Sequence, residues 1–429
     1  MTPLAPMPFP ETSFALTLGL LLLAPLAIAG VALINAGLGR SRSAAQSLLG
    51  SLVVISTAVI AFALVGSAIA AGTSGDHVFH LAGKPWNWAG AGPLFLRGLD
   101  AAAPRTQLAI LCELLSVALV VLIPWGSGAD RLRLPAGAAI AAIFGAVVFP
   151  LVAHWTWGGG WLAQLGANFS LGSGLLDGGG AAAIHALGGV SALAVVWIAG
   201  PRKGKFPREG LSTAMPGHNV VYVLFGCLIA LVGWLAWNMA GSLLWVNAAP
   251  AALGVTAVNT LLSAAAALVA TFSVTRIRFG KPDASLCANG WLAGLVTSSA
   301  CAGVVSPLAA LFTGLVAGIV TPLLVELFEL ALSIDDPSGA ISVHGVAGLW
   351  GLAAAGIFVP QSGQFVAQII GVSTLLGLVL PAVYLVFWLM NRVLALRVDP
   401  DGERIGMDLH ELGGNAYPEF VVHRDESYR

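Results

Sequence analysis

The chain has 429 residues, of which 58% are hydrophobic and only 9% are charged, and its net charge is −1. Soluble domains carry about 25% charged residues, so this composition excludes an ordinary soluble protein. The 53 glycines favour close packing of helices in lipid, where small residues let backbones approach. The four cysteines lie in apolar stretches without CxxC spacing, which indicates packing residues rather than metal ligands or disulfides.

Apolar segments of about 20 residues or more, the length that crosses a bilayer, occur eleven times in the sequence. We therefore predict an all-α integral membrane protein with eleven transmembrane helices. The first segment could instead be a signal peptide, but no basic residue precedes it and it is long for one, so we retain it as a span. The predicted spans are Glu11–Leu38, Ala44–Ala71, Thr106–Trp125, Pro135–His154, Gly179–Gly200, His218–Ala240, Ala251–Val274, Ala284–Ala302, Pro307–Ala331, Gly339–Phe358 and Phe365–Leu396.

Lysine and arginine are unequally shared between the predicted loops. With the N-terminus outside, sixteen of the 19 fall on the cytoplasmic side, and only Lys84, Arg97 and Arg105 lie outside. Cytoplasmic loops carry an excess of these residues, so the pattern predicts an outer N-terminus and a cytoplasmic C-terminus in the cell (inner) membrane. We expect residues 1–396 to form the membrane domain and residues 397–429 a cytoplasmic tail.

Two histidines in the fifth and tenth predicted spans have matching surroundings. Asp177 precedes His185 by eight residues, Asp336 precedes His344 by eight, and a glycine follows each histidine by four. These two spans run in opposite directions because five helices separate them. The pattern therefore predicts an inverted repeat, spans 1–5 against spans 6–10, with an eleventh helix added.

The same spacing predicts where the histidines lie. Eight helical residues rise about 12 Å, and the hydrocarbon core is about 30 Å thick. If each aspartate caps its helix near one membrane face, His185 and His344 meet near the midplane, where they could pass a proton or bind a small polar solute. A lone histidine can equally serve as a hydrogen-bonding partner between helices, but two in symmetric positions favour a function. For Asp177 and Asp336, capping is at least as good an interpretation as a direct role.

Six segments carry further motifs, including HWTWGGGW and WLAWNMAGS. They are residues 153–162, 177–206, 233–242, 257–260, 335–348 and 396–417. At these segments the sequence resembles the ammonium transporter (Amt/Mep/Rh) family, and the similarity runs over nearly the whole chain. The resemblance implies a homotrimer with one pore per subunit, and a tail that docks beneath the subunits and couples them.

The resemblance also implies roles for particular residues. In that family an outer aromatic vestibule recruits the ammonium cation, two stacked phenylalanines gate the pore, and a histidine pair conducts. Trp157 matches the vestibule tryptophan, Asp177 the aspartate below it, and His185 and His344 the conducting pair.

The gate departs from the family pattern. The usual FQxxF of the third span reads Thr106-QLA-Ile110, so both aromatics are missing. The second gate phenylalanine is replaced by Trp237, and the serine expected shortly after Asn238 falls at Gly241 or Ser242, depending on a one-residue shift. These residues should still surround the entrance to the pore.

Glu113 lies one helical turn below this region, where the family normally has no acid. It either makes a polar contact between helices or forms, with Trp157 and Trp237, a cage for a larger cation. We therefore predict transport of ammonium, ammonia or a related small amine. The alternatives are a transporter of a larger methylated or quaternary amine, and a non-transporting ammonium sensor.

Other classes of function and partner are not favoured. The sequence has no nucleophile–base arrangement, metal-ligand spacing or phosphate loop, so we expect neither an enzyme nor a cofactor or metal site. Membrane lipid is the expected surroundings, and a PII-type regulatory protein is a candidate partner at the cytoplasmic face. No feature predicts nucleic-acid binding.

Overall fold

The computed structural model describes residues 9–72, 79–209 and 212–417. Their long helices are α1 (Glu11–Leu38), α2 (Ser41–Ala70), α3 (Pro104–Ser127), α4 (Leu134–Thr156), α5 (Ala181–Ala199), α6 (Val220–Leu244), α7 (Pro250–Phe279), α8 (Ala284–Cys301), α9 (Pro307–Ala331), α10 (Ile341–Phe358) and α11 (Gln364–Val393). Within the described residues, ten of these helices, all but α8, are long and apolar enough to cross a membrane. The prediction of an all-helical, multi-pass membrane protein is confirmed.

Helix α8 coincides with the predicted eighth span but is not among those ten. It carries several polar side chains that are buried in the protein, including Asn289, Thr297 and Ser298. The Thr297 hydroxyl, for example, donates to the carbonyl of Ala347 in α10 at 3.1 Å. A helix enclosed by other helices can satisfy such groups internally, so its sequence is less apolar than that of a lipid-facing helix.

Small residues bring α1 and α6 into close contact. A Cβ atom added at Gly30 would collide with the backbone at Gly226 and with Ala230, and one added at Gly233 would collide with Ala27. Such contacts let two backbones approach within van der Waals distance, which drives helix association where hydrophobic burial does not. The high glycine content of the chain is explained in part by crossings of this kind.

The two ends of the helical bundle differ. One end carries a short antiparallel hairpin, β1 (Phe79–Leu81) and β2 (Lys84–Trp86), inserted between α2 and α3. We call this the hairpin end. The backbone of Trp161, which follows α4, donates to the carbonyl of Asn87 at 3.0 Å and so fixes the hairpin against the bundle.

The opposite end, here called the tail end, is covered by residues 396–417, including a short helix, α12 (Pro400–Ile405). The Asp408 carboxylate accepts hydrogen bonds from two backbone N–H groups at the start of α2, at 2.7 and 3.1 Å. The Glu411 carboxylate accepts from the Leu134 N–H at the start of α4, at 2.9 and 3.0 Å. The tail thus caps two helices of its own chain. Residues 418–429 of the predicted tail lie outside the described residues.

Candidate functional site

His185 and His344 face each other inside the bundle. Their Nδ1 atoms are 3.2 Å apart, and their ring centroids are 5.2 Å apart with 25° between the ring planes. The two residues are only 1% and 4% exposed. Each lies on a π-helical turn, Ala181–Ala186 at the start of α5 and Ile341–Val346 at the start of α10. Such turns are rare and frequently occur at functional sites.

Glycine permits the helix crossing that brings the two imidazoles together. A Cβ added at Gly189 would collide with the backbone of Gly345, the residue next to His344. Helices α5 and α10 can therefore approach only because this position has no side chain. Gly189 is the glycine that follows His185 by four residues in the sequence. The helix contact therefore explains why the repeated pattern contains a glycine at this position.

The two aspartates that precede the histidines hold the starts of these helices. One oxygen of Asp177 accepts from two backbone N–H groups in the first turn of α5, at 3.0 and 3.1 Å. Asp336 accepts from the Ile341 N–H at 2.8 Å, and its other oxygen accepts from the Ser127 hydroxyl of α3 at 2.7 Å. Both carboxylates thus satisfy donors that a helix start leaves unpaired.

Trp234 of α6 belongs to the site, although the sequence analysis did not select it. Its indole lies parallel to the His185 ring, with centroids 4.9 Å apart and 13° between the planes. Its Nε1 donates to the Ser299 hydroxyl at 3.0 Å, which fixes the ring. His185 therefore contacts an aromatic face on one side and His344 on the other. The sequence did contain one indication of this role, because Trp234 lies one helical turn before the predicted gate residue Trp237.

A second aromatic pair lies toward the hairpin end. Trp157 stacks on Trp245, with ring centroids 5.1 Å apart and planes within 3°. Trp157 also donates from Nε1 to the Asp177 carbonyl at 2.6 Å, and its ring meets Phe149 edge-on at 6.4 Å. One face of the predicted vestibule tryptophan is therefore covered by Trp245, which the sequence analysis assigned to no site.

The remaining predicted entrance residues occupy different environments. Thr106, near the start of α3, is exposed and Ile110 is half-buried, whereas Trp237 and Ser242 of α6 are buried. The Ser242 hydroxyl donates to the Asn238 carbonyl of its own helix at 2.8 Å. That hydroxyl is consequently already engaged, as serines in helices commonly are.

Glu113 is buried in α3, 6% exposed, and its carboxylate makes no hydrogen bond or ion pair with any part of the chain that the structure describes. The described rings that contact Trp157 are Phe149 and Trp245. Among the described residues, no direct ring contact joins Trp157 to Trp237.

A family model described as Ammonium Transporter Family matches residues 14–417, nearly the whole chain. The chain belongs to this family. The resemblance found in the sequence motifs is thereby confirmed, and a family of membrane transporters fits the expectation that the chain is not an enzyme.

Curated relatives agree with the family assignment. Ammonium transporter Amt2 of Archaeoglobus fulgidus is 33% identical, and the match covers 93% of this chain and 86% of the relative. Ammonium transporter Amt2 of Haloferax mediterranei is 32% identical, over 91% of this chain and 87% of the relative.

Solved structures show the same fold. A protein named Sensor Amt Protein aligns with a TM-score of 0.84 at 27% identity, covering 93% of this chain and 98% of that protein. Mep2 of Candida albicans aligns with a TM-score of 0.77 at 23% identity, over 96% and 91% of the two chains. The second likeness, at this identity, is one of fold alone.

Proposed function

We propose that this member of the family carries ammonium or ammonia across the inner membrane, through a pore in each subunit that passes the pair His185 and His344. The observation that carries the proposal is the direct contact of two buried imidazoles in an otherwise apolar part of a membrane protein. Polar groups are costly there and mark solute pathways. The names of the curated relatives support ammonium as the substrate.

The contact suggests how the pair serves a small polar solute. In a neutral pair one Nδ1 donates its proton to the other, so one ring keeps an acceptor at Nε2 and the other keeps a donor there. Ammonia can accept one hydrogen bond and donate others, so both free nitrogens suit it. A proton that crosses the 3.2 Å contact exchanges these roles when the receiving ring releases its Nε2 proton and the donating ring takes one up at Nε2, so that both rings stay neutral.

We further propose that α8 spans the membrane, which makes eleven spans, and that spans 1–5 and 6–10 form the inverted repeat. The hairpin end then faces outward and the tail end faces the cytoplasm. In the structure α5 begins at Ala181 and α10 at Ile341, so each histidine lies three or four residues, about 5–6 Å, from the start of its helix, and not the ~12 Å expected from the sequence. The proposed position of the pair near the midplane therefore rests on the two helices entering from opposite ends.

Cysteine labelling tests this orientation. Arg208→Cys, on an exposed part of the segment between α5 and α6, should react with a membrane-impermeant maleimide only from the cytoplasm. Asp100→Cys, exposed between the hairpin and α3, is the matched outer position. The native cysteines are buried, so background labelling should be low. Labelling of Arg208→Cys from outside would reverse the topology.

We also propose that three copies assemble, each with its own pore, and that the tail end is where a PII-type regulatory protein would bind. The capping of α2 and α4 by Asp408 and Glu411 links the tail to helices of the bundle. Deleting residues 397–429 should therefore lower transport while the trimer persists. Asp401→Asn, an exposed change in the same tail, is the control. Full flux in a tailless trimer would make the tail dispensable.

The proposed substrate is tested by uptake into proteoliposomes that contain the purified protein. We expect saturable uptake of ammonium, and inhibition of it by methylammonium. Stronger transport of tetramethylammonium than of ammonium would favour the larger-amine alternative. No uptake of any amine would contradict transport.

A non-transporting sensor is the second candidate function. It is favoured by the likeness to the solved protein named Sensor Amt Protein, which extends over 93% of this chain. It predicts that the purified protein binds ammonium but that proteoliposomes show no flux above that of empty vesicles. Binding and flux measured on one preparation therefore separate the two functions.

A further inference from the structure

Arg131 lies in the connection between α3 and α4, and its side chain is completely buried. All three nitrogens of its guanidinium group donate to main-chain carbonyls: Nε to Gly200 at 2.8 Å, Nη2 to Asp335 at 2.7 Å and Nη1 to Ala129 at 3.2 Å. A buried cation without such partners would be strongly destabilising. Each nitrogen is therefore committed to a specific atom, which fixes the positions of the three carbonyls relative to one another.

Two of these carbonyls belong to the helices of the histidine pair. Gly200 directly follows the last residue of α5, the helix of His185. Asp335 directly precedes Asp336, whose carboxylate caps the start of α10. The guanidinium is a rigid, planar group whose N–H donors have a fixed spacing. It therefore ties the end of one histidine helix to the beginning of the other.

The positive charge of Arg131 suits both of these attachments. A cation at a helix C-terminus is favourable because the last carbonyls of the helix carry a partial negative charge. At the other attachment, the Asp335 carboxylate lies 3.8 Å from Arg131 Nη1 and is also bound by Arg202. The guanidinium is therefore held by charge as well as by the geometry of its hydrogen bonds.

The backbone of Arg131 is anchored outside both histidine helices. Its carbonyl accepts from the Val398 N–H at 2.9 Å, and the next residue, Leu132, forms an antiparallel β-bridge with Arg397. Both partners belong to the segment that covers the tail end. Arg131 consequently acts from a third point, which is part of neither α5 nor α10.

The contact between α5 and α10 itself contains little that would prevent the two helices from sliding. Close to the histidines it is made by Gly189 against Gly345, and three residues further along α10 by Gly348 against Ala186. The helices thus cross antiparallel, with glycine at both points. Glycine has no side chain that could interlock with the facing helix. A tie at the helix ends must then fix their axial register.

The histidine contact tolerates little change in that register. The Nδ1 atoms of His185 and His344 are 3.2 Å apart, and a hydrogen bond is lost beyond about 3.5 Å. A slip of one helical turn would be about 5.4 Å, so even a small fraction of a turn would separate the two nitrogens. The tie made by Arg131 therefore decides whether the imidazoles can be hydrogen bonded.

We infer that Arg131 is a positioning residue of the histidine pair, which sets the axial register of α5 against α10 so that the two imidazoles lie at hydrogen-bonding distance. Arg131 acts through the two helices and not by contact with the solute. This role rests on the proposed function, in which the solute passes the pair, but its geometric part can be measured without flux.

Solid-state NMR of the parent protein in lipid bilayers, with histidine labelled with nitrogen-15, tests the geometry. A hydrogen bond between the Nδ1 atoms gives a correlation between nitrogens of different rings, which His185→Ala identifies by removing it. Arg131→Lys keeps the positive charge but replaces the planar group by a single ammonium, which cannot span both carbonyls in the same geometry. We expect folded Arg131→Lys to lose this correlation and to conduct ammonium at least about fivefold more slowly, the effect of one lost hydrogen bond.

Two other arginines provide matched variants. Arg133→Gln changes a half-buried arginine of the same connection, whose side chain makes no hydrogen bond or ion pair within the described residues, and should retain the correlation and the flux. Arg397→Gln removes a partly exposed donor from the Ala199 carbonyl, at 2.8 Å, and leaves Arg131 in place. This milder change provides the test if Arg131→Lys does not fold, and the correlation should persist. Its loss in Arg397→Gln would assign the register to that arginine and overturn the inference.

A purely structural role for Arg131 predicts a different result. Arg131→Lys would then have a lower melting temperature or yield, while its folded fraction kept the correlation and the flux. That result would overturn the inference, and so would a parent protein without the correlation. Loss of the correlation in Arg131→Lys, when the parent protein shows no flux, would refute transport and leave the positioning role intact. Reduced flux in Arg131→Lys with an intact correlation would refute the positioning role and leave transport intact.

Discussion

Alanine at His185 or at His344 should lower ammonium flux by about 5- to 150-fold, because a polar solute that loses one buried hydrogen-bonding partner meets a barrier higher by about 1–3 kcal/mol. The imidazoles contact each other at 3.2 Å, and Trp234 covers the other face of His185. Removing either ring therefore leaves the remaining one without its partner. The helices themselves should persist, since Asp177 and Asp336 still hold their first turns.

Flux should be measured at matched protein density in proteoliposomes, with potassium as a competing cation to detect a loss of selectivity. His80→Ala removes an exposed histidine of the hairpin and should leave flux unchanged. Both alanine variants conducting at the parent rate, with the parent selectivity, would show that the pair has no part in conduction.

Alanine at Arg202 should destabilise the protein by about 3–5 kcal/mol, the cost of breaking a buried ion pair from one side. Arg202 is 3% exposed and binds both oxygens of Asp335, each at 2.9 Å, as well as Asp130 at 2.9 Å. Loss of Arg202 leaves the buried carboxylates of Asp335 and Asp130 without the N–H donors of its guanidinium group. Because Asp335 precedes Asp336, whose carboxylate caps the start of α10, the change should also displace His344 and lower flux.

The stabilisation that Asp335 contributes to the folded protein should be lost as the pH falls. Burial alone would raise the pKa of this carboxyl, but the Arg202 hydrogen bonds and the charges of Arg131 and Arg202 hold the pKa below its ordinary value. A depressed folded-state pKa means that the stabilisation is present above the unfolded value, near pH 4, and is lost as the pH falls through the folded pKa. The acid sensitivity of the parent protein should therefore be reduced in Asp335→Asn.

Thermal unfolding in detergent, followed with a thiol-reactive dye at the buried cysteines, measures the Arg202 effect. Arg208→Ala removes an exposed positive charge from the same segment and should change stability by less than about 0.5 kcal/mol. Arg202→Met combined with Asp335→Asn should recover part of the loss. An Arg202→Ala protein as stable as Arg208→Ala would show that the ion pair contributes little.

Hydropathy predicted most of the helices because lipid-facing residues must be apolar. The predicted first span and the ninth have the same limits as α1, Glu11–Leu38, and α9, Pro307–Ala331. Helix α8 gives the weakest signal of the long helices, since buried partners such as the Ala347 carbonyl satisfy its polar groups. Composition alone cannot distinguish a membrane helix whose polar groups are satisfied in this way from a helix outside the membrane.

The residues of the candidate site likewise include some that the sequence could identify and some that it could not. His185 and His344 could be found because a polar residue inside an apolar span is conspicuous and because the spacing to Asp177 and Asp336 repeats. Trp234 and Trp245 could not be assigned, since each ring acts through a partner far away in the sequence, His185 and Trp157, and its orientation depends on how helices pack. A tryptophan near a span end is typical of an interface belt, so Trp245 carries no signal of its own.

Ammonium-evoked current from proteoliposomes adsorbed on a solid-supported membrane tests the central proposal most directly. The recording should compare the parent protein with His185→Ala, His344→Ala and the double variant at equal density. We expect a saturable current in the parent protein that falls in each single variant and disappears in the double variant, while His80→Ala retains it. A parent protein without current or ammonium uptake, or a double variant as active as the parent, would contradict transport through the histidine pair.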